Sequence, residues 1–352
     1  MNPNIQLIEP RDRAEISFLS REQKAFFADP YRFQPHTPVS EPRKTDLTIP
    51  VPADFVWEAG ADCSGLQISG SADFSSISRL VKGRCRKLKD GRLRFRAKIA
   101  NLEHGGKYYW RVTDGKRFSS VHSFTVADEL PRWIGVPNVT NVRDLGGWKT
   151  ASGKRIRQGM LFRGGQFDPP WTNQPGGSKI TAAGRKVLLE DLKIHTELDL
   201  RGVEEFTALP GIPRYEMIRF SAYATWGGPG GQGIFSDAMR QQVKKIFELL
   251  SDPSAYPLYF HCQGGGDRTG SLAFLLENML GLDEADCLTE YELSNLSVSG
   301  ERSRFSEVWT RFMEKLETIL PGGSRREQVC RFLRQCGVTD LMQNKIRSIL
   351  LE

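Results

Sequence analysis

Cys262 opens the run Cys262-Gln263-Gly264-Gly265-Gly266-Asp267-Arg268-Thr269, with Tyr259-Phe260-His261 before it and Gly270 after it. An apolar strand, three successive glycines and an apolar helix make a tight strand–loop–helix turn. Glycines let successive backbone N–H groups turn inward without Cβ clashes. Those groups and the helix N-terminus form a cradle for an anion. A thiol at the base of such a cradle is favoured as thiolate, the nucleophilic form. The guanidinium of Arg268 offers a planar fork to two oxygens of a phosphate. Thr269 can donate a hydrogen bond to the sulfur, and His261 can orient the loop through its ring nitrogens. The chemistry is phosphoryl transfer in two steps: the thiolate attacks phosphorus in line, and water then hydrolyses the phospho-cysteine. Arg268 and the loop residues Gln263, Gly264, Gly265 and Gly266 are expected to hold the phosphate oxygens. No metal and no other cofactor is expected.

A leaving group also needs a proton from an acid within hydrogen-bond reach. Three residues compete. Asp267 lies in the loop itself. Asp199 ends a strand, Thr196 to Leu200, that should lie beside the nucleophile strand, where it could reach the site or simply pair with Arg201. Asp237 lies just after the mobile-looking Gly-rich stretch Trp226 to Gly233. The other five cysteines, Cys63, Cys85, Cys287, Cys330 and Cys336, lack any such setting and read as structural. No zinc-type spacing of Cys or His is present.

His261-Cys262-x5-Arg268-Thr269-Gly270 resembles the signature of the cysteine-based protein tyrosine phosphatase superfamily. Asn141-Val-Arg143-Asp144-Leu-Gly-Gly147, Gly153, Met160-Leu-Phe-Arg163 and Glu197-Leu-Asp199-Leu-Arg201-x3-Glu205 follow the order of bacterial tyrosine and dual-specificity phosphatases. The resemblance covers about residues 135–352. It implies hydrolysis of phosphotyrosine or broader phosphoprotein substrates; some members of that group also act on phosphoinositides. Those enzymes usually carry Lys where this chain has Gly266, which weakens a lipid reading. A phosphoinositide or inositol-polyphosphate substrate is the alternative, and a non-catalytic phospho-ligand binder is the second. Within the Asn141–Gly147 motif, Arg143 or Asp144 could line the pocket, or the motif could be a turn that anchors the sheet.

The elements that must position these residues alternate. Thr181 to Leu192, Ala238 to Leu250 and Thr269 to Leu280 read as helices; Thr196 to Leu200 and Pro257 to His261 read as strands. That alternation predicts an α/β phosphatase domain over 129–352, a central mostly parallel sheet flanked by helices. A smaller all-β sandwich domain precedes it over 45–128. Period-two segments at 55–57, 65–69, 93–99, 107–112 and 120–126 are separated by Asp90-Gly91, Gly105-Gly106 and Asp114-Gly115. Leu102 to Val126 resembles the last strands of fibronectin type III-like modules. Residues 1–44 read as an arm.

The chain carries a net charge of +7 and its 352 residues are 39% hydrophobic, which excludes a wholly disordered class, and no apolar run approaches the ~18 residues a membrane span needs. Arg94, Arg96 and Lys98 alternate with Phe95, Ala97 and Ile99, either as a basic binding stripe or as a solvated sheet face. The expected partner of the catalytic part is a phosphorylated protein or small phosphoester, without nucleic acid or membrane span. The β module is expected to bind another protein or surface. Acidic residues at Glu9, Asp12 and Glu15 argue against a signal peptide, so the cytoplasm is the expected compartment, or the exterior if a signal has been removed.

Overall fold

A computed structural model describes residues 5–29, 45–167, 180–201, 216–219, 235–298 and 302–352. The chain divides into two compact units, Met1–Ser20 with Pro50–Leu130 and Arg21–Ile49 with Pro131–Glu352.

The first unit holds β1 (Ile5–Glu9), β2 (Ala14–Ile16), β3 (Ala53–Ala59), β4 (Gly65–Ser69), β5 (Ile77–Lys82), β6 (Arg84–Lys87), β7 (Leu93–Ile99), β8 (Lys107–Thr113) and β9 (His122–Val126). They form one sheet ordered β1-β3-β7-β6 and another ordered β2-β9-β8-β4-β5. Alternation sends Phe55, Trp57 and Phe95 of the first sheet and Leu66, Ile68, Trp110 and Phe124 of the second into one core. The Phe55 and Trp110 rings meet edge to face at 5.2 Å. Two strands lie inside the stretch read as an arm: β1 pairs antiparallel with β3, and β2 pairs parallel with β9. Charge and proline hide their short alternation. Strands β5 and β6 were not legible either, because residues 77–87 carry five basic side chains and no buried face. The stripe on β7 is partly neutralised from β3. Arg92 and Arg94 both bind the buried carboxylate of Glu58, at 2.6 and 2.5 Å, and Arg96 lies 3.3 Å from Asp54.

The second unit contains α1 (Arg21–Ala28), β10 (Arg132–Trp133), β11 (Arg143–Asp144), β12 (Leu161–Gly164), α2 (Ala182–Lys186), β13 (Thr196–Asp199), β14 (Glu216–Arg219) and α3 (Asp237–Leu250). It continues with β15 (Leu258–His261), α4 (Asp267–Leu280), α5 (Glu284–Glu292), α6 (Glu307–Ile319), α7 (Arg325–Gln335) and α8 (Asp340–Leu350). One sheet runs β10-β11-β12-β15-β13-β14. Its last four strands are parallel, and β10 and β11 join antiparallel. The helices start where side chains replace missing backbone partners. Thr181, Ser236, Ser306 and Thr339 cap α2, α3, α6 and α8, and Ser324 with Glu327 forms a capping box on α7.

Register decides where the site falls. His261 lies opposite Gly164 on one side and Asp199 on the other. Three carboxyl ends of parallel strands therefore come level, the place where open α/β sheets bind ligands. Helix α4 leaves from this edge and is buried from Thr269 to Leu280. No helix among the described residues is long and apolar enough to cross a membrane.

Candidate active site

After His261 the chain turns through Cys262–Gly266 and enters α4 at Asp267. Gly265 sits at φ +71°, and a Cβ there would lie 2.5 Å from the carbonyl carbon of Gly164. Only glycine fits both conditions. Three loop carbonyls are tied down in turn. Gln263 O accepts from Gln166 N at 3.0 Å, Gly264 O from Asn141 Nδ2 at 3.1 Å, and Gly265 O from Arg163 Nη2 at 2.7 Å. In a trans peptide the carbonyl and the next N–H point opposite ways. The N–H groups of Gly264, Gly265 and Gly266 are thus turned away from these anchors, and among the described residues no protein acceptor takes them. Successive unpaired N–H groups at a helix start make an anion-binding nest.

Cys262 lies in this loop at 3% exposure. The half-buried Arg268 donates through Nη1 to Arg201 O at 3.4 Å, and no carboxylate among the described residues pairs with it. The ring of His261 bridges two oxygens, Glu197 Oε1 at 2.7 Å from Nε2 and Cys262 O at 3.2 Å from Nδ1. The hydrogen bond expected from Thr269 to the Cys262 sulfur is not formed. Thr269 is fully buried and its Oγ1 has no partner among the described residues. The first turn of α4 sets the direction of that hydroxyl and leaves it unpaired.

The three candidate acids separate. Asp199 is paired with Arg201. Its Oδ1 accepts from Arg201 N and Nε, both at 2.9 Å, and its Oδ2 from Nη2 at 2.8 Å. Burial pushes its carboxyl up, but the Arg201 hydrogen bonds and the nearby His261 and Arg201 charges outweigh it, so the group stays below the usual carboxylate range. A carboxylate held this way braces Arg201. Donor atoms of Glu197, Asp199 and His261 lie within 4.8 Å of one another, as metal ligands could. Arg201 already takes Asp199, and Glu197 takes His261, so the cluster is closed by its own hydrogen bonds. Asp237 starts α3 with a fully exposed side chain, 4.0 Å from Arg240. The Gly-rich stretch before it and Glu205 lie outside the described residues. Asp267 starts α4 directly after the loop, 40% exposed, with Oδ1 and Oδ2 each 2.7 Å from the Arg302 guanidinium.

Behind the loop lies a buried ionic network that sequence reasoning missed. Arg143 Nε and Arg163 Nη1 each meet Glu290, at 2.5 Å, and all three side chains are at most 1% exposed. Arg143 Nη1 also donates to Asn141 Oδ1. Arg143 therefore does not line a pocket; it fixes Asn141, which holds Gly264. Asp144 is the turn anchor, accepting from Arg132, Gly146 N and Gly159 N. A signal did exist: an arginine inside an all-apolar strand such as Leu161–Gly164 must find an acid somewhere.

The sequence profile described as "Tyrosine phosphatase family" matches residues 134–352. An inferred tyrosine-protein phosphatase of Cupriavidus necator is 28% identical over 189 residues, 46% of this chain and 63% of that relative, so this chain spans less than two thirds of it. Two solved structures also match. The core catalytic domain of the PP-IP phosphatase SIW14 from S. cerevisiae, in complex with citrate, is 15% identical, with 49% of this chain and 86% of that chain covered and a TM-score of 0.29. A second structure of the Siw14 catalytic core is 14% identical, with 51% and 89% covered and a TM-score of 0.32. With its profile match running from Ile134 to the last residue and enclosing the whole Cys262 loop, the chain belongs to the tyrosine phosphatase family, whose members are cysteine-based phosphatases.

Proposed function

We propose that the chain hydrolyses phosphomonoesters, phosphotyrosine or a broader set of protein phosphoesters, through a phospho-cysteine on Cys262. The observation that carries this reading is the loop itself. Three carbonyls are anchored, three N–H groups find no acceptor among the described residues, and Arg268, with no carboxylate partner among them, opens the helix that follows one buried cysteine.

The phosphate sits in the nest, its oxygens held by the loop N–H groups and by Arg268. The Cys262 thiolate attacks phosphorus from the side opposite the leaving oxygen. The S–P bond forms as the P–O ester bond breaks. Asp267 gives its proton to the departing oxygen. Water then attacks the phospho-cysteine, passes a proton back to Asp267, and releases phosphate with the sulfur as leaving group. His261 positions the loop through the Cys262 carbonyl, and Asp199 keeps Arg201 in place next to Arg268. Residues 45–128 are proposed as a fibronectin type III-like module that binds another protein or surface. Their two-sheet core supports that assignment.

Phosphate release from a phosphotyrosine peptide, a soluble phosphoinositide and inositol hexakisphosphate tests the reading, with Cys262→Ser as blank. Preference for the peptide with a dead variant supports it. Preference for an inositol compound moves the substrate class. Vanadate binding with no turnover on any substrate means a phospho-ligand binder.

A further inference from the structure

Asp267 has a partner from a distant part of the chain. Arg302 follows α5 and the turn after it, and its guanidinium faces the Asp267 carboxylate side-on, Nε near Oδ1 and Nη2 donating to Oδ2, both at 2.7 Å. This placement is built in. Arg302 N donates to Asn295 Oδ1 at 2.7 Å, and Arg302 O accepts from Asn295 Nδ2. Two residues on, Arg304 grips the buried Glu292 of α5 through Nε at 2.7 Å and Nη2 at 2.5 Å.

The same guanidinium lies against the loop. A Cβ on Gly266 would stand 2.8 Å from Arg302 Nε and 3.0 Å from Nη2. Gly266 has φ −94° and ψ −61°, a conformation open to any residue, so backbone strain does not demand glycine there. The space does: a side chain at 266 and the Arg302 fork exclude each other.

We propose that Arg302 is a positioning residue for Asp267, holding the carboxyl at the mouth of the loop where the leaving oxygen of a bound phosphoester would lie, and that position 266 is glycine to admit it. The proposal rests on the reading of Asp267 as the acid. A planar fork that donates to Oδ2 through Nη2 and lies with Nε 2.7 Å from Oδ1 sets the carboxyl plane as well as its position, which a lysine cannot do.

The test is a series of aryl phosphates whose leaving phenols range from strongly to weakly acidic. It is read as kcat/KM for the wild type, Arg302→Ala, Arg302→Lys, Gly266→Ala, Asp267→Asn and the double variant Arg302→Ala/Asp267→Asn. Arg302→Ala should lose ~10-fold or more on the poorest leaving groups, part of the 10²–10⁴-fold that general acids supply. It should lose little on the best one, where protonation is not needed. Arg302→Lys should recover part of the loss, Gly266→Ala should copy the Arg302→Ala pattern, and Arg302→Ala should add nothing on top of Asp267→Asn. An equal loss across the series, or losses that multiply in the double variant, overturns the proposal. If Asp267→Asn is itself indifferent to the leaving group, the acid assignment falls and the proposal with it. Activity retained by Cys262→Ser is a different failure, that of the phosphatase reading.

Discussion

Arg163 reaches Gly265 O through Nη2 at 2.7 Å while its Nη1 binds Glu290 at 2.5 Å. One fully buried side chain thus ties the shape of the loop to an ion cluster behind it. The burial that makes the cluster costly also makes it rigid, because buried charges tolerate few arrangements.

Glu290 is the single carboxylate bridging two buried arginines. Burial, together with the charge of Arg163, pulls the Arg143 guanidinium down to about 10. Replacing Glu290 with Gln removes the carboxylate that both guanidinium groups bind. A loss of about 3–5 kcal/mol is expected, read from denaturant unfolding at neutral pH. The exposed Lys186–Glu190 pair on α2 and the turn after it should contribute under about 1 kcal/mol by the same measurement.

Gly265→Ala and Gly266→Ala should differ sharply in stability despite being neighbours. At 265 the positive φ alone costs about 1–3 kcal/mol, and the Gly164 backbone stands in the way of the methyl group. At 266 the backbone is relaxed and only a side chain must move. Thermal melting should fall clearly for the first and little for the second. Vanadate binding should be lost in the first.

Glu277 should make stability fall as pH rises. Burial first, then the charge of Glu290, push its carboxyl well above the usual range. A group raised in the fold contributes fully below its unfolded value, about 4.3 for Glu, and that contribution is lost as pH climbs toward the folded value. Glu277→Gln removes this slope. The variant should match or exceed the wild type near neutral pH, with its advantage shrinking toward pH 4. Unfolding free energies between pH 4 and 8 check this.

Asp199 has the opposite sign. Burial raises it, yet the hydrogen bonds from Arg201 prevail and hold it below the ordinary value. Its contribution is present above the unfolded value, about 3.9, and is lost as pH falls below it. Asp199→Asn should therefore destabilise at neutral pH, by about 3–5 kcal/mol for breaking a buried ion pair, and the penalty should shrink on acidification. Because Arg201 O receives Arg268, kcat/KM should fall as well, read on any phosphoester the wild type cleaves.

The Cys262 loop was legible because its strand, glycines and helix are local, although Asn141 and Arg163, which anchor its carbonyls, are not. Strand, glycines and helix lie within about a dozen residues, and alternation or helical spacing needs no knowledge of the rest of the chain. The same reason covers the strands at 65–69, 93–99 and 107–113, and α3 and α4 to within two residues. Strands β5 and β6 escaped because their pairing partners, not their composition, make them strands.

The sequence alone carried the cysteine-based phosphatase reading: a cysteine, an arginine six positions on and three glycines between them, set between an apolar strand and an apolar helix. Tertiary structure decided which carboxylate holds which arginine. Asp199 is taken by Arg201 two residues away, Asp267 by Arg302 at a separation of 35, and Arg143 by Glu290 at 147. An ion pair leaves no periodic trace along the chain. Its energy depends on distance and burial in three dimensions, and these exist only once the sheet has set its strand order and register.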